Sequence, residues 1–398
     1  MLNLDKNKKY LLACSFGPDS MALFDMLLKD GYHFSVAHVN YHLRKESNKE
    51  EELLRDYCQK HDIEIFVNAL TLNDMKGNTE NNARIVRYQF FSLLCSKYGF
   101  DGVLVAHQQD DLIETYFMQK ERKNIVKFYG IQEKCFLFGV NVIRPLLHYS
   151  KSDLISYCVK NHIPFAIDST NLHNDFKRNK IRNEIVSKLD KVERENVLME
   201  ISVQNMKLSK TLEKLSYIDL HNISSLLELN EFEFAMAINL LTEKFRFSVS
   251  KKACDELKLV LLSKKPNSLI RFKDNVFFEK SYGRVSFIIL ENSDYSYTIE
   301  KPCKFDCEFF FLDFSKGSLN RGVTFDSYPL TIRNIKMNDE YLINGYKVKA
   351  NRLFIDWKMP LSLRKRWPVI IDKNGNIIYI PRYQKDFKKN ESLNFYVK

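Results

Sequence analysis

The chain has 398 residues, of which 45% are hydrophobic, and it carries a formal net charge of +11. This length predicts two or three domains, and the hydrophobic content excludes a generally disordered chain. No apolar run reaches the roughly 18 residues of a membrane span, and Gly17-Pro18 interrupts the first apolar run too early for a signal peptide. Eight scattered cysteines without a C-x-x-C pair exclude a disulfide framework and argue against a zinc site. We therefore expect a cytoplasmic protein that does not associate with a membrane.

Strands and helices alternate in the first half of the chain. Apolar runs predict strands over 10–14, 34–39, 63–67 and 102–106, and periodic segments predict helices over 20–29, 48–61, 82–98 and 110–120. This alternation predicts an α/β fold with a doubly wound parallel sheet that is covered by helices on both faces. In such a sheet, ligands bind at the carboxyl ends of the strands, where the winding direction switches.

From about residue 183 the pattern changes. Helical periodicity covers 185–215 and 232–262, residues 270–290 alternate like a hairpin around Ser281-Tyr282-Gly283, and short strands follow. We predict an α/β domain followed by a mainly helical middle domain and a small α+β domain. The boundaries are 1–185, 186–295 and 296–398.

Most of the net positive charge lies in the last fifth of the chain. From Arg321 to Lys398 there are 16 Lys and Arg residues against 7 Asp and Glu residues. Such a basic surface suits a polyanion such as RNA, because Lys and Arg displace counterions from phosphates. A surface that only keeps the protein soluble is an equal alternative on charge alone.

A polar loop, Ser15-Phe16-Gly17-Pro18-Asp19-Ser20, joins the first predicted strand to the first predicted helix. At this position the backbone N–H groups of a helix N-terminus point at an anion. Gly17 permits unusual backbone conformations or close approach to a phosphate, and Asp19 can hold Mg²⁺. The alternative is a capped strand–turn–helix without a ligand.

This loop resembles the S-G-G-x-D-S loop of the PP-loop ATP pyrophosphatases, which have an adenine nucleotide alpha hydrolase-like fold. The resemblance implies that all six loop residues contact ATP: Ser15, Phe16, Gly17, Pro18, Asp19 and Ser20. Phe16 stands where the family usually has Gly, so we expect its side chain to point away from the nucleotide.

Further segments resemble, in order, those of the tRNA(Ile)-lysidine synthetases. They are AHVNYHLR at 37–44, NARIVRY at 82–88, VLVAHQQDDLIET at 103–115, RPLL at 144–147, DSTN at 168–171, DFKRNKIR at 175–182 and PLSLRKRWPVI at 360–370. Tyr41 replaces the usual His of the first segment. In the third, a strand delivers His107, Asp111 and Glu114 to the sheet edge that carries the phosphate loop, whereas Asp110 is better explained as a helix cap.

The resemblance implies ATP-dependent ligation of L-lysine to C2 of the wobble cytidine in a tRNA(Ile) with a CAU anticodon. An adenylated cytidine is the implied intermediate, and AMP and pyrophosphate are released. Implied catalytic residues are Asp19, Arg84, Asp111 and Glu114, with Mg²⁺ on Asp19 and Asp111. Implied lysine ligands are His107, Asp111 and Glu114, and implied tRNA contacts are Arg178, Arg182, Arg364, Lys365 and Arg366. The resemblance also implies that the domain at 1–185 binds ATP and is catalytic, and that the domains at 186–295 and 296–398 bind tRNA. Either Asp111 or Glu114 takes the proton of the incoming amine, and the sequence does not decide which of the two carboxylates does so.

Three alternatives remain, of which two are other adenylating enzymes and one is a protein without catalytic activity. A tRNA thiolase would commonly need a C-x-x-C pair, and an adenylating amidotransferase would usually carry a glutaminase domain, for which the sequence gives no sign. A non-catalytic RNA-binding protein with an inactive nucleotide site is favoured by Phe16 alone. The sequence leaves the oligomeric state open, and a homodimer is compatible with it.

Overall fold

The computed structural model describes residues 2–42, 46–69, 79–122, 125–166, 176–291, 294–315, 323–343, 345–383 and 394–398. The chain folds into two compact units, Met1–Lys210 and Thr211–Lys398, and the three-domain division stays a prediction. Leu43, Arg44, residues 168–171 and Asp175, which belong to the predicted motifs, lie outside the described residues. Within the described ranges, no helix is both long and apolar enough to cross a membrane.

The first unit alternates strands and helices, as predicted. Its strands are β1 (Lys9–Ala13), β2 (His33–Asn40), β3 (Ile65–Ala69), β4 (Gly102–Val105), β5 (Lys134–Leu137) and β6 (Val140–Ile143). Its helices are α1 (Pro18–Lys29), α2 (Glu46–Lys60), α3 (Thr79–Tyr98), α4 (Gln109–Arg122), α5 (Lys151–Lys160) and α6 (Phe176–Glu184), and α7 (Lys191–Ser216) begins in this unit.

The six strands form one sheet in the order β3-β2-β1-β4-β6-β5, parallel except for β5, which pairs antiparallel with β6. This confirms the predicted doubly wound, mainly parallel sheet. The chain winds outward from β1 through β2 and β3, and then returns to place β4 on the other side of β1. The loops after β1 and β4 therefore flank the crevice at which such sheets bind ligands.

Both faces of this sheet are covered. Leu11 and Leu12 are fully buried neighbours in β1, and they belong to different core clusters because successive strand residues point to opposite faces. One cluster includes Phe24 of α1 and Leu154 of α5, and the other includes Phe91 of α3. Apolar contact on both faces thus holds β1 and β4 in place and fixes where their polar loops emerge.

The second unit combines short helices with antiparallel sheets. Its helices are α8 (Ile223–Leu227), α9 (Glu231–Thr242), α10 (Lys251–Leu262), α11 (Ala350–Asp356) and α12 (Leu361–Arg364). Its strands are β7 (Asn267–Lys273), β8 (Val276–Ser281), β9 (Arg284–Ile289), β10 (Ser296–Ile299), β11 (Lys304–Asp306), β12 (Phe310–Asp313), β13 (Leu330–Asn334), β14 (Glu340–Ile343), β15 (Tyr346–Lys349), β16 (Pro368–Ile371), β17 (Ile377–Tyr379) and β18 (Phe395–Val397). The sheets are β7-β8-β9, β10-β13-β16-β17, β11-β12-β18 and β14-β15.

Two predicted long helices are interrupted, whereas the predicted hairpin is present. Residues 185–215 include a short 3-10 helix before α7, and residues 232–262 break where Arg246 adopts a left-handed φ of 57° between α9 and α10. Helical periodicity alone does not reveal such breaks. The hairpin joins β8 to β9 through Tyr282 and Gly283, with φ of 43° and 88°, which is the two-residue turn that suits the twist of paired strands.

Candidate active site

The loop of residues 15–20 leaves the carboxyl end of β1 and enters α1. Gly17 is the N-cap residue and Pro18 begins the helix, where its missing N–H is not needed. The hydroxyl group of Ser20 donates to the Gly17 carbonyl oxygen over 2.9 Å, and the same hydroxyl oxygen accepts from the Ser15 N–H over 3.3 Å. These bonds close the loop on itself. Because the Ser20 proton is used inside the loop, the exposed Ser15 hydroxyl group is the more available donor to a ligand.

Phe16 resolves the departure from the family loop. Its φ of 64° is the left-handed conformation that favours glycine, yet its side chain is only 2% exposed and packs in the hydrophobic core. The aromatic ring therefore points away from the loop's ligand side, as expected. Gly17 has a φ of −79°, so the unusual conformation considered for it occurs at Phe16 instead.

Asp19 lies in the first turn of α1, and its Oδ1 is buried with no hydrogen-bond partner in the described chain. Burial, with a further contribution from Asp111, raises the pKa of the Asp19 carboxyl to about 6. The electrostatic influence of Asp111 shows that the loop after β1 and the cluster after β4 lie close together. A buried carboxylate oxygen without a partner is a ready ligand for a cation.

The residues after β4 form an acidic cluster at the start of α4. The Gln108 side chain accepts from the Asp110 N–H over 2.6 Å and thereby caps the helix. The capping role that we expected of Asp110 is therefore taken by Gln108. Asp110 instead pairs with Arg194 of α7. Asp111 accepts the Gln108 N–H over 3.1 Å with Oδ2, and its other oxygen points to α6.

Glu114 is fully buried between two arginines of α6. Arg178 donates from Nε to Oε2 of Glu114 over 2.8 Å and from Nη2 to Oδ1 of Asp111 over 2.8 Å. Arg182 donates from Nε to Oε1 of Glu114 over 2.5 Å and from Nη2 to Oε2 over 3.1 Å. Two carboxylates predicted to hold the lysine amine are thus neutralised by two arginines predicted to contact tRNA. Both roles stay predictions.

His107 lies just after β4, and its ring bonds to Arg144, which follows β6. Nε of Arg144 donates to Nδ1 of His107 over 3.0 Å. Burial, followed by the positive charges of Arg144, Arg178, Arg87 and Arg84, lowers the pKa of His107 to about 3. The imidazole is therefore neutral near pH 7.

Arg84 and Arg87 project from α3, and both are exposed. Arg84 lies over the Tyr88 ring at 5.8 Å, which leaves its guanidinium donors accessible. Tyr41, at the end of β2, donates its hydroxyl group to the Ala83 carbonyl oxygen over 3.1 Å and so ties the start of α3 to the sheet. The structure therefore brings Asp19, His107, Asp111 and Glu114 together, with Arg84 within electrostatic reach of His107.

The three basic residues predicted to bind tRNA in the second unit differ in accessibility. Arg364 donates to the Met359 carbonyl oxygen from Nε and Nη2 over 3.0 and 2.9 Å, which fixes its guanidinium locally. Lys365 and Arg366 are exposed. The adjacent Trp367 is buried and donates to the Pro381 carbonyl oxygen over 2.7 Å, so it belongs to the core.

Sequence reasoning missed the partners of these residues. Gln108 lay in the 103–115 segment without an assigned role, and Arg194 carried no signal beyond lying in a helical segment. Arg144 was visible as the first residue of the RPLL segment, but no role followed from the sequence.

Comparison with known proteins shows what the chain resembles. A family model described as a PP-loop domain matches residues 1–189. The tRNA(Ile)-lysidine synthase of Staphylococcus aureus (strain N315) is 29% identical over 410 residues, which cover 93% of this chain and 92% of that protein. The tRNA(Ile)-lysidine synthase of Mycoplasmopsis pulmonis (strain UAB CTIP) is 40% identical over 179 residues, 45% of this chain and 62% of that protein. Residues 1–189 thus match a PP-loop domain, and the chain is similar over 93% of its length to a tRNA(Ile)-lysidine synthase.

A third relative gives the same assignment over half the chain. The tRNA(Ile)-lysidine synthase of Mycoplasma mycoides subsp. mycoides SC (strain CCUG 32753 / NCTC 10114 / PG1) is 38% identical over 207 residues, 49% of this chain and 51% of that protein. The resemblance seen in the motifs, the fold class and the assignment as an ATP-using enzyme are thereby confirmed. The roles of individual residues stay predictions.

Proposed function

We propose that this protein adenylates the wobble cytidine of a tRNA(Ile) with a CAU anticodon and then ligates L-lysine to it, giving lysidine. The observation that carries the proposal is the meeting of two features at the β1–β4 crevice. One is an anion-binding loop at a helix N-terminus, and the other is a buried cluster of carboxylates balanced by arginines. The loop suits the phosphates of ATP. The carboxylate cluster suits binding of the lysine ammonium in place of an arginine.

In the first step, O2 of the cytidine attacks the α-phosphorus of ATP and the bond to pyrophosphate breaks. The N–H groups at the start of α1 and the Ser15 hydroxyl group would hold the departing pyrophosphate. Arg84 would neutralise charge that develops on the transferred phosphoryl group. These groups act by position and charge, which is the main contribution of proteins to phosphoryl transfer.

In the second step, the lysine ε-amine attacks C2 of the cytidine, the C2–O2 bond breaks, and AMP departs with that oxygen. The ammonium must lose a proton before it attacks, and Asp111 or Glu114 would accept it. Asp111, with 14% of its side chain exposed, is easier to reach than Glu114, which is 0% exposed. Glu114 would meet the amine only when Arg178 or Arg182 turns to another anion.

Mg²⁺ fits this site. The buried Oδ1 of Asp19 lacks a partner, and Asp111 lies close enough to raise the pKa of Asp19. Among the described residues no group of three or more His, Cys, Asp or Glu side chains could hold a metal ion by itself. That donor set suits an ion that shares its coordination with nucleotide phosphates and water. When bound by Asp19 and Asp111, Mg²⁺ would supply charge neutralisation for the triphosphate.

Two of the alternatives lose support in this geometry. Cys14 precedes the loop, but it is buried, and burial raises the pKa of its thiol, which does not suit a thiolase nucleophile. Phe16 was the feature that favoured an inactive nucleotide site, and its ring packs in the core instead.

The product identifies the reaction. Unmodified tRNA(Ile) with a CAU anticodon is incubated with the enzyme, ATP, Mg²⁺ and L-lysine, and the digested nucleosides are analysed by mass spectrometry. We expect the wobble cytidine to gain the mass of lysine less one water, and omission of ATP to abolish the product. An unmodified or sulfur-containing wobble base would contradict the proposal.

A further inference from the structure

Arg144 and His107 follow neighbouring parallel strands, and their bond has no part in the reaction as proposed so far. The Arg144 guanidinium makes three hydrogen bonds. Nη1 donates to the Gln132 carbonyl oxygen over 2.7 Å and to Cys135 Sγ over 3.3 Å, and Nε donates to His107 over 3.0 Å. The backbone N–H of Arg144 is fixed as well, by the Glu133 carbonyl oxygen over 2.8 Å. Arg144 is 4% exposed, so this arrangement is shielded from water. The Arg144 guanidinium is therefore held in place as the hydrogen-bond partner of Nδ1 of His107.

This contact decides which nitrogen of His107 carries the proton. A guanidinium stays protonated and can only donate, so Nδ1 of His107 must be the acceptor. A neutral imidazole has one N–H, which then lies on Nε2. In the described part of the chain, Nε2 has no hydrogen-bond partner. His107 thus presents a donor to its surroundings.

A donor cannot accept a hydrogen bond from an ammonium group, which also only donates. We propose that Arg144 is a positioning residue that fixes His107 as a donor, and that His107 binds an anionic oxygen of a substrate through Nε2–H. Lysine recognition by His107 then concerns the α-carboxylate or the adenylate phosphate, and the ammonium is left to Asp111 and Glu114. The identity of the anion rests on the proposed function, whereas the donor state of His107 does not.

The charges around His107 favour an anion. Arg84, Arg87, Arg144 and Arg178 all lie near enough to destabilise a protonated imidazole. Arg178 is already paired with Asp111 and Glu114. The charges of Arg84, Arg87 and Arg144 attract a carboxylate or a phosphate and repel an ammonium. A hydrogen bond to a charged acceptor in this setting corresponds to about tenfold or more in affinity.

The first measurement needs no activity. Full-length protein labelled with ¹⁵N in histidine gives the shifts of both ring nitrogens, and the signal missing from His107→Gln assigns His107. We expect an unprotonated Nδ1 and a protonated Nε2 from pH 6 to 8. A protonated Nδ1, or a cationic ring in that range, would overturn the proposal. In Arg144→Ala the ring should lose its single tautomer and its pKa should rise, whereas Arg144→Lys, which keeps a charged donor, should restore part of the wild-type spectrum.

The second measurement identifies the anion. Initial rates are compared for L-lysine and for cadaverine, which is lysine without its carboxylate. If the anion is the α-carboxylate, His107→Ala should raise the KM for lysine about tenfold or more and leave cadaverine unchanged. If the anion is the adenylate phosphate, His107→Ala should lower the rates with both amines and the rate of pyrophosphate release to the same extent. In either case His107→Gln, which keeps a donor near Nε2, should recover part of the loss.

The control is Arg333→Gln, which removes a partly buried arginine, with 16% of its side chain exposed, from the second unit. This variant should leave the ¹⁵N spectrum of His107 unchanged, and the ratio of the initial rates with L-lysine and cadaverine should also stay the same. Wild-type kinetics in His107→Ala would show that Nε2–H binds no substrate and would overturn the proposal. If the wild type makes no lysidine while Nδ1 is unprotonated, the proposed function fails and the donor state of His107 stands.

Discussion

Arg182 donates hydrogen bonds to both carboxylate oxygens of Glu114, whose side chain has no solvent exposure. Arg178 adds a third bond to the same carboxylate. The residue that the family resemblance assigns to the lysine amine is thus already paired with cations of the chain itself. Entry of lysine must therefore be coupled to movement of an arginine, and the phosphates of tRNA are the natural alternative partners for those arginines.

Glu114→Gln should lower the free energy of unfolding by about 1–3 kcal/mol. The change removes a buried negative charge and replaces one acceptor oxygen with an NH₂ donor, so two partly buried arginines lose part of their pairing. Their 28–32% exposed side chains limit the loss. Urea unfolding followed by circular dichroism measures it. Glu231→Gln, in a pair that is 71–74% exposed, is the matched control and should change little. Equal urea midpoints for Glu114→Gln and Glu231→Gln would contradict the pairing of buried Glu114 with the two arginines.

Arg178→Ala should tighten lysine binding to the tRNA-free enzyme by about tenfold, because it removes a competitor for Asp111. Calorimetric titration with lysine measures the affinity. Lys180→Ala, on the same helix but 60% exposed, is the control and should bind lysine like the wild type. Weaker binding in Arg178→Ala would mean that Arg178 itself contacts lysine.

Asp19→Asn should stabilise the Mg²⁺-free enzyme at pH 7.5 by about 1–3 kcal/mol. The folded-state pKa of about 6 lies above the unfolded value, so the stability given by the neutral carboxyl is present at low pH and is lost as pH rises toward 6. The advantage of the variant should therefore fade near pH 4. Added Mg²⁺ should raise the thermal midpoint of the wild type and not that of the variant. A loss of stability in the variant at pH 7.5 would show that Asp19 has a structural partner.

Phe16→Gly should destabilise the protein less than Phe16→Ala. Both lose a buried ring, at about 3–5 kcal/mol, but glycine relieves a left-handed φ that costs other residues roughly 1–2 kcal/mol. Urea unfolding of the two variants tests this difference. If Phe16→Ala is the more stable variant, the left-handed conformation of Phe16 is not maintained in solution.

Replacing Lys365 and Arg366 together by Ala should weaken tRNA binding and lower the slope of log affinity against log salt by about 1–2 units. Both side chains are exposed, so the protein fold should be unaffected. Replacing the exposed lysines Lys251 and Lys252 of α10 is the matched control in the same unit. An unchanged slope in Lys365→Ala/Arg366→Ala would mean that these charges do not contact phosphate.

The sheet and the meeting of its two loops followed from the sequence, because alternation fixes a parallel sheet and parallel strands end at one edge. The pairing of Arg178 and Arg182 with Glu114 did not follow. An arginine reaches a carboxylate through the packing of α6 on α4, and no local pattern encodes that contact. The left-handed φ of Phe16 was also invisible, since propensity places glycine in that conformation and core packing placed an aromatic residue there instead.

The most direct test of the account is the stoichiometry of a single reaction. Labelled lysine incorporated into tRNA(Ile) with a CAU anticodon is counted against the AMP and pyrophosphate released from labelled ATP. We predict one AMP and one pyrophosphate for each lysine, with no pyrophosphate released when tRNA is omitted. Lysine incorporation without AMP, or pyrophosphate release that depends on lysine alone, would contradict activation of the tRNA base at the β1–β4 crevice.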